Sequence, residues 1–338
     1  MNSKFTRRLG RSDLRVSALG LGCWAIGGQL WDDSGKPRGM GEVDDEASIR
    51  ALHCALDSGV TFFDTADVYG AGHSEIILGK VFKGRRDQVV ISTKFGNFFD
   101  EEKRTAIFRD GIAPSPQQIR QSCEASLRRL NTSYIDLYHL HIWAIPFEDV
   151  PPVLDALDQL VSDGLIRTYA WSTDLIDGAR MFAERENCSA VQFELNVLQD
   201  APELLALCAE YDLAGVIRSP LAMGLLTGKY GANSKLPKDD IRGTTPEWMK
   251  YFTDGTPNPE WYKKLEAVRE ILMSDGRSLV QGALAWVWAR DERTIPIPGF
   301  KTVRQVEENV SAMHFGPLKP EQMREIDELL GRQVDGSY

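Results

Sequence analysis

The sequence is short of cysteine and histidine, has no long apolar run and carries no basic excess, and each shortage excludes something. Five cysteines (Cys23, Cys54, Cys123, Cys188, Cys208) are odd in number, widely spaced and without a C-x-x-C pair. That pattern builds neither a disulfide framework nor a zinc cluster, and it fits a reducing compartment, so a cytoplasmic protein is expected. No apolar run approaches the ~20 residues of a membrane span, so no membrane partner is expected. Lysine and arginine number 39 against 49 acidic residues, a formal net charge of -10. That balance argues against a nucleic-acid surface, although an acidic protein still binds a phosphate where a few cations are local. Arg7, Arg8, Arg11 and Arg15 before Ala18–Ile26 imitate a signal peptide. The apolar stretch is short, holds Gly20 and Gly22 and precedes no small-residue cleavage site, so it reads as a strand.

What is present is a rhythm. Short apolar runs occur at 18–22, 60–64, 88–94, 134–141, 165–172, 189–194, 213–219 and 293–299. Most are apolar throughout, as in strands of a parallel sheet buried on both faces. Between them lie amphipathic segments with helix signals. Ser115–Gln118 is a capping box with proline at the first helical position, and Thr302–Gln305 is a second. Asp44 opens a helix that Gly59 closes, and Pro151 starts another that Gly164 closes. Eight β/α repeats predict an α/β fold, one (β/α)8 TIM barrel over residues 1–338 treated as a single domain. Residues 1–17 read as an N-terminal hairpin plugging one end. The 29–43 and 230–261 segments break the rhythm after the first and seventh strands. Long loops there are expected to cover the C-terminal mouth and shape a pocket.

Polar residues fall at the strand ends: Asp64, Lys94, His141, Ser172 and Arg218, with Gln192 and Glu194 near the end of the sixth. In a barrel these ends converge on one rim, where active sites are built. A tyrosine donates a proton poorly near neutrality unless a neighbouring cation stabilises its phenolate. Lys94 can supply that charge, Asp64 can hold the lysine, and Tyr69 leaves the same strand as Asp64. His141 can orient a substrate oxygen. The set holds an acid but no poised nucleophile, which suits carbonyl reduction with hydride from a bound cofactor.

The segments FFDTADVYGAGHSEIILGK, ISTKFG and YIDLYHLH, with SPLAMGLLTGKY and IPIPGFKTVRQVEENVSAM, resemble the aldo-keto reductase superfamily over nearly the whole chain. The resemblance implies Asp64, Tyr69, Lys94 and His141 as the catalytic set. It also implies NAD(P)H extended across the barrel mouth. Ser172 and Gln192 would hold the nicotinamide carboxamide, with Trp24 and Asp64 beside the riboside. Ser219, Leu221 and Lys229 would follow the pyrophosphate path, and Gly299, Lys301, Gln305, Glu308 and Asn309 would surround the adenosine. Lys301 and the N-terminus of the following helix form a local anion site. With Arg304 they favour NADPH, NADH being the alternative. Trp31, Phe98, His141 and Trp143 are expected to line a pocket for a small-molecule carbonyl substrate. Two positions depart from the family pattern. Thr173 lacks the amide usual after Ser172, and Arg218 replaces an aromatic residue that stacks on the nicotinamide. A guanidinium can stack on a ring, but its charge would favour the neutral, reduced ring.

Three other readings compete. Gly20–Ala25 formally fits the dinucleotide pattern G-x-G-x-x-A, but Gly27, Gly28, Gly35 and Pro37 follow where a helix is required. His139 and His141 share a strand face and suggest a metal-dependent hydrolase, yet only Asp64 offers a further ligand, so no metal is expected. The alternative from another class is an NADP(H)-binding redox sensor or channel-like subunit with little turnover.

Overall fold

The computed structural model describes residues 5–244 and 246–332; residues 1–4 of the expected hairpin lie outside them. The eight expected runs become eight parallel strands. They are β1 (Gly20–Gly22), β2 (Phe62–Asp64), β3 (Val90–Phe95), β4 (Ile135–Leu140), β5 (Ile166–Ser172), β6 (Cys188–Glu194), β7 (Ala214–Arg218) and β8 (Thr294–Pro296). Each pairs with its chain neighbour in sequence order. A parallel bridge from Gly22 to Gly299, with Gly22 N–H donating to Pro298 O at 3.0 Å, joins the two edges and closes the barrel. The first run is shorter than expected and the last gives way to a loop after Pro296, where Pro298 and Gly299 complete the closure.

Helices return each strand to the next. They are α1 (Asp45–Asp57), α2 (His73–Val81), α3 (Pro116–Leu130), α4 (Val150–Ser162), α5 (Ile176–Ala183) and α6 (Pro202–Glu210). After β7 come α7 (Pro259–Leu272) and α8 (Leu279–Arg290), and after β8 come α9 (Val303–Phe315) and α10 (Pro320–Leu329). The sequence signals act as expected. Asp44 accepts from Ala47 N–H, and both capping boxes form, at Ser115 and Thr302. Every residue of β3 and β4 is buried, because the helices cover one face of the strands and the barrel interior the other.

The two irregular segments do more than cover the mouth. The first contributes Trp31–Asp32, which pairs with Thr105–Ile107; that strand forms a hairpin with Phe98–Asp100. The second carries a short turn of helix at Ile241–Thr244 and a hairpin at Phe252–Thr253 and Thr256–Pro257. The two segments touch, since Ile241 N–H donates to Gly39 O at 2.9 Å and Met40 bridges Asp240. At the opposite end, the hairpin Thr6–Arg8 and Arg15–Ser17 seals the barrel. Leu9, Leu14 and Val16 pack against Phe62, Leu137, Val216 and Ile295 from inside the strands. The sequence expectation of a plug holds for residues 5–17.

Candidate functional site

A cleft of about 1790 Å³ opens at the C-terminal ends of the strands. Strand register explains what lines its floor. Asp64 on β2 pairs with Ser92 on β3, Lys94 on β3 with His139 on β4, and Ser172 on β5 with Gln192 on β6. Parallel strands in this register deliver these polar groups to one level, as the sequence pattern predicts.

Lys94 is the centre of the floor. Its fully buried ammonium donates to Asp64 Oδ1 at 2.5 Å, to Thr65 O at 2.6 Å and to Tyr69 Oη at 3.4 Å. Asp64 Oδ2 accepts from Ser92 Oγ at 2.8 Å and from Gln192 Nε2 at 2.9 Å. Both carboxylate oxygens are therefore hydrogen-bonded, as a buried charge requires. Ser172 Oγ donates to Gln192 Oε1 at 3.1 Å. The four expected catalytic residues are thus brought together with Ser172 and Gln192. His141 lies one residue past β4 with its ring edge-on to Tyr69, centroids 5.8 Å apart. Its Nδ1 is buried without a protein partner. Trp24 stacks on Tyr69, ring centroids 5.9 Å apart at 19°.

The electrostatics depart from the sequence expectation at one point. Burial pushes the Tyr69 phenol above its ordinary range. Lys94 pulls it down and Asp64 pushes it up, so the expected acidification by lysine is outweighed. Burial also opposes the Lys94 ammonium, but Asp64 and Tyr69 together hold its pKa above the usual lysine value. His141 is driven well below the ordinary histidine range by burial, then by Lys94 and Arg218, and is neutral at physiological pH. His139 is fully buried and held neutral by burial; since the Ser92 hydroxyl donates to Asp64, the His139 Nε2–H donates to Ser92 Oγ at 2.8 Å. No group of three or more His, Cys, Asp or Glu side chains placed to hold a metal ion occurs among the described residues.

Tyr69 is placed by backbone packing. Gly70 has φ +62°, and a Cβ there would stand 1.9 Å from Gly27 O. Only glycine permits this approach of the 65–72 loop to the turn after β1. Beneath the loop, Glu75 accepts from Thr93 Oγ1 at 2.6 Å and from Arg129 Nε at 2.7 Å. Asp67 is buried beside them, and burial, then Glu75, raise its carboxyl well above the carboxylate range. Sequence reading passed over both acids, although each sits in the segment that carries the resemblance.

From this floor the cleft runs past Ser219, Leu221 and Lys229 to Gly299, Lys301, Gln305, Glu308 and Asn309. All the positions expected around a dinucleotide lie on one continuous wall. The backbone there is strained: Ser219, Ala222 and Met223 have φ of 51°, 47° and 54°. Such left-handed non-glycine residues cluster at functional sites. Lys301 is not a free cation, because its ammonium donates to Met40 O at 2.7 Å and Glu42 O at 2.9 Å. Gln305 Oε1 accepts from Lys301 N–H and Thr302 N–H as part of the helix cap, which leaves its amide hydrogens for a ligand.

Of the expected substrate residues, Trp143 and His141 line the cleft. Trp31 and Phe98 do not. Leu30 and Asn97 take those places, because neighbours in an extended chain face opposite sides and both aromatics turn away. Phe98 lies instead under the Arg109 guanidinium, 3.8 Å from its centroid. Sequence reading missed Phe108 and Trp248, both on the cleft wall; Trp248 packs 6.4 Å from Trp24. Arg218 is also not a free charge. It pairs with Asp174, just past β5, and lies 3.9 Å from Glu194 at the end of β6, so the excess charge expected there is faced by carboxylates from the two preceding strands.

Comparison with known proteins agrees with this architecture. The sequence profile of the Aldo/keto reductase family matches residues 18–331. The aldo-keto reductase yakc [NADP(+)] of Schizosaccharomyces pombe is 32% identical over 93% of this chain and 86% of its own. The glycerol dehydrogenase AKR11B4 of Gluconobacter oxydans superposes with a TM-score of 0.80 at 29% identity, covering 99% of both chains. The holo form of the aldo-keto reductase AKR11C1 from Bacillus halodurans gives a TM-score of 0.75 at 28% identity, covering 98% of this chain and 99% of that one. With eight parallel strands, a strand-end cleft and a family match across nearly its whole length, this chain belongs to the aldo/keto reductase family of oxidoreductases.

Proposed function

We propose that the protein reduces an aldehyde or ketone to an alcohol with NADPH, and that Tyr69 donates the proton. The observation that carries this reading is the bridge from Asp64 through the Lys94 ammonium to the Tyr69 hydroxyl, at the floor of a long cleft. The cleft fits an extended dinucleotide. Its volume exceeds the ~300–1,000 Å³ of an ordinary small-molecule pocket. Its wall offers Ser172, Gln192, Ser219, Lys229, Gln305 and Asn309 as polar contacts along one path. The relative from fission yeast carries NADP(+) in its name, which favours the phosphorylated cofactor here.

In this reading a carbonyl oxygen sits against Tyr69 Oη and the neutral His141 ring. His141 fixes the oxygen without competing for protons, because its imidazole is uncharged. NADPH held along this wall would supply the hydride for the carbonyl carbon. Tyr69 gives its proton to the oxygen as negative charge develops there, and Lys94 stabilises the phenolate left behind. Asp64 holds the ammonium in place. Trp24, Phe108, Trp143 and Trp248 give the substrate side of the cleft aromatic walls. Lys301 gives two of its three ammonium hydrogens to the Met40 and Glu42 carbonyls, which leaves one for a cofactor phosphate.

The test is titration with NADPH and NADH, followed by tryptophan fluorescence, and then a screen of simple carbonyls. Tight, saturable NADPH binding with turnover is expected. Binding without turnover of any carbonyl would favour a redox sensor. Failure of both cofactors to bind would overturn the reading.

A further inference from the structure

Arg218 ends β7 and lines the cleft, and its charge reaches both Tyr69 and His141. A hydride-bearing ring has to lie within about 3–3.5 Å of a carbonyl carbon held at Tyr69. That places it in the same part of the cleft as Arg218. The oxidised ring carries a positive charge and the reduced ring carries none. A bare guanidinium here would therefore repel one redox form of the cofactor and not the other.

The guanidinium is not bare. Arg218 Nη2 donates to Asp174 Oδ2, and Asp174 Oδ1 accepts from Glu194 N–H at 2.8 Å, so this carboxylate is held from two sides. Glu194 lies 3.9 Å from the Arg218 Nη1, but it is already taken by Lys250 Nζ at 2.8 Å and by the Tyr251 hydroxyl. Two cations face two carboxylates, and the one that belongs to Arg218 is Asp174. The turn that presents Asp174 is fixed in place, since the buried Thr173 hydroxyl donates to Trp143 O at 2.9 Å and accepts from Leu175 N–H at 3.1 Å.

We propose that Asp174 is a positioning residue that neutralises Arg218 and so lets the cleft hold the oxidised cofactor nearly as well as the reduced one. The inference rests on the reading of the cleft as an NADP(H) site. It makes the Asp174–Arg218 pair the setting for the balance between reduction and alcohol oxidation.

The experiment measures Kd for NADP+ and for NADPH, by fluorescence, in the wild type and in Asp174→Asn, Asp174→Glu, Arg218→Met and the Asn/Met double variant. Asparagine keeps the acceptor for Glu194 N–H and removes the charge, its NH2 group replacing the oxygen that accepts from Arg218. Asp174→Asn is expected to raise the ratio of Kd(NADP+) to Kd(NADPH) about tenfold, or ~1.4 kcal/mol. Asp174→Glu should keep the ratio near the wild-type value. Arg218→Met leaves the carboxylate alone and should lower the ratio several-fold. The double variant should return it to within about twofold, as a coupled pair requires. An unchanged ratio in Asp174→Asn, or a parallel rise in both Kd values, would overturn the proposal, because Asp174 would then only shape the site. Failure of the wild type to bind either cofactor would instead overturn the functional reading beneath it.

Discussion

Tyr69 sits under opposing influences. Burial and Asp64 keep its proton on, while Lys94 and, more weakly, Arg218 favour its release. A proton donor needs the first condition in its resting state and the second when charge reaches the substrate oxygen. The free phenol therefore stays protonated through the neutral range, and the proposed donor is lost only above about pH 10, the ordinary tyrosine value. His141 is neutral at and above its ordinary range, because its pKa is lowered. It adds no titration between pH 6.5 and 9. We expect kcat/KM for reduction to be flat across that window and to fall above pH 10; a break near pH 7 would contradict the assignment. Tyr69→Phe should lower kcat by about 10²–10⁴-fold, the usual worth of a general acid, with the Kd for NADPH within twofold of wild type. Lys94→Met should lose activity and stability together. It strips the cation from a buried Asp64, and breaking a buried pair costs about 3–5 kcal/mol. Urea unfolding and single-turnover rates on the same variant separate the two losses.

At the scale of elements, the 65–72 loop shows how packing becomes chemistry. Its left-handed Gly70 lets the loop close on Gly27, and the Tyr69 hydroxyl reaches Lys94 as a result. Gly70→Ala would place a Cβ 1.9 Å from Gly27 O at a φ of +62°. The left-handed cost alone is about 1–2 kcal/mol. The loop has to shift to relieve the clash, so kcat should fall at least tenfold. Thermal unfolding should also fall, and a wild-type kcat would show that Tyr69 is placed by something else. This division also explains what was legible in the sequence. Asp64, Lys94, Ser172 and Gln192 were readable because each ends or nears the end of an apolar run, and parallel strands bring such ends to one level. The capping boxes at Ser115 and Thr302 were readable because their hydrogen bonds are local. Trp31 and Phe98 were misplaced because nothing in a loop's composition tells which of two neighbours faces the cleft. The partners of Arg218 and Lys301 were hidden for another reason. Asp174 lies 44 residues from Arg218, and Met40 lies 261 from Lys301, and no periodicity encodes such pairings.

The whole molecule separates its stabilising end from its chemical end. The cleft occupies the C-terminal mouth of the barrel, and the hairpin closes the other mouth with Leu9, Leu14 and Val16. Arg11 clamps that hairpin, donating from Nε to Cys188 O at 2.7 Å and from Nη2 to Ala183 O and Arg185 O at 2.6 Å each. Gly10, at φ +55°, lies so close to β6 that a Cβ would stand 1.9 Å from Ser189 O. None of these residues touches the cleft. Leu9 is fully buried and Leu14 nearly so, and each Leu→Ala change should cost about 2–5 kcal/mol through lost burial and the cavity left behind. The strands carry Asp64, Lys94 and Gln192 on their far ends, so a cavity beneath them leaves the hydrogen-bonded floor intact. Leu9→Ala and Leu14→Ala should therefore lower the urea midpoint clearly, while kcat and the Kd for NADPH at 25 °C stay within about twofold of wild type. A loss of turnover out of proportion to the loss of stability would mean that the plug sets the geometry of the strand ends, and that the barrel transmits strain from one mouth to the other.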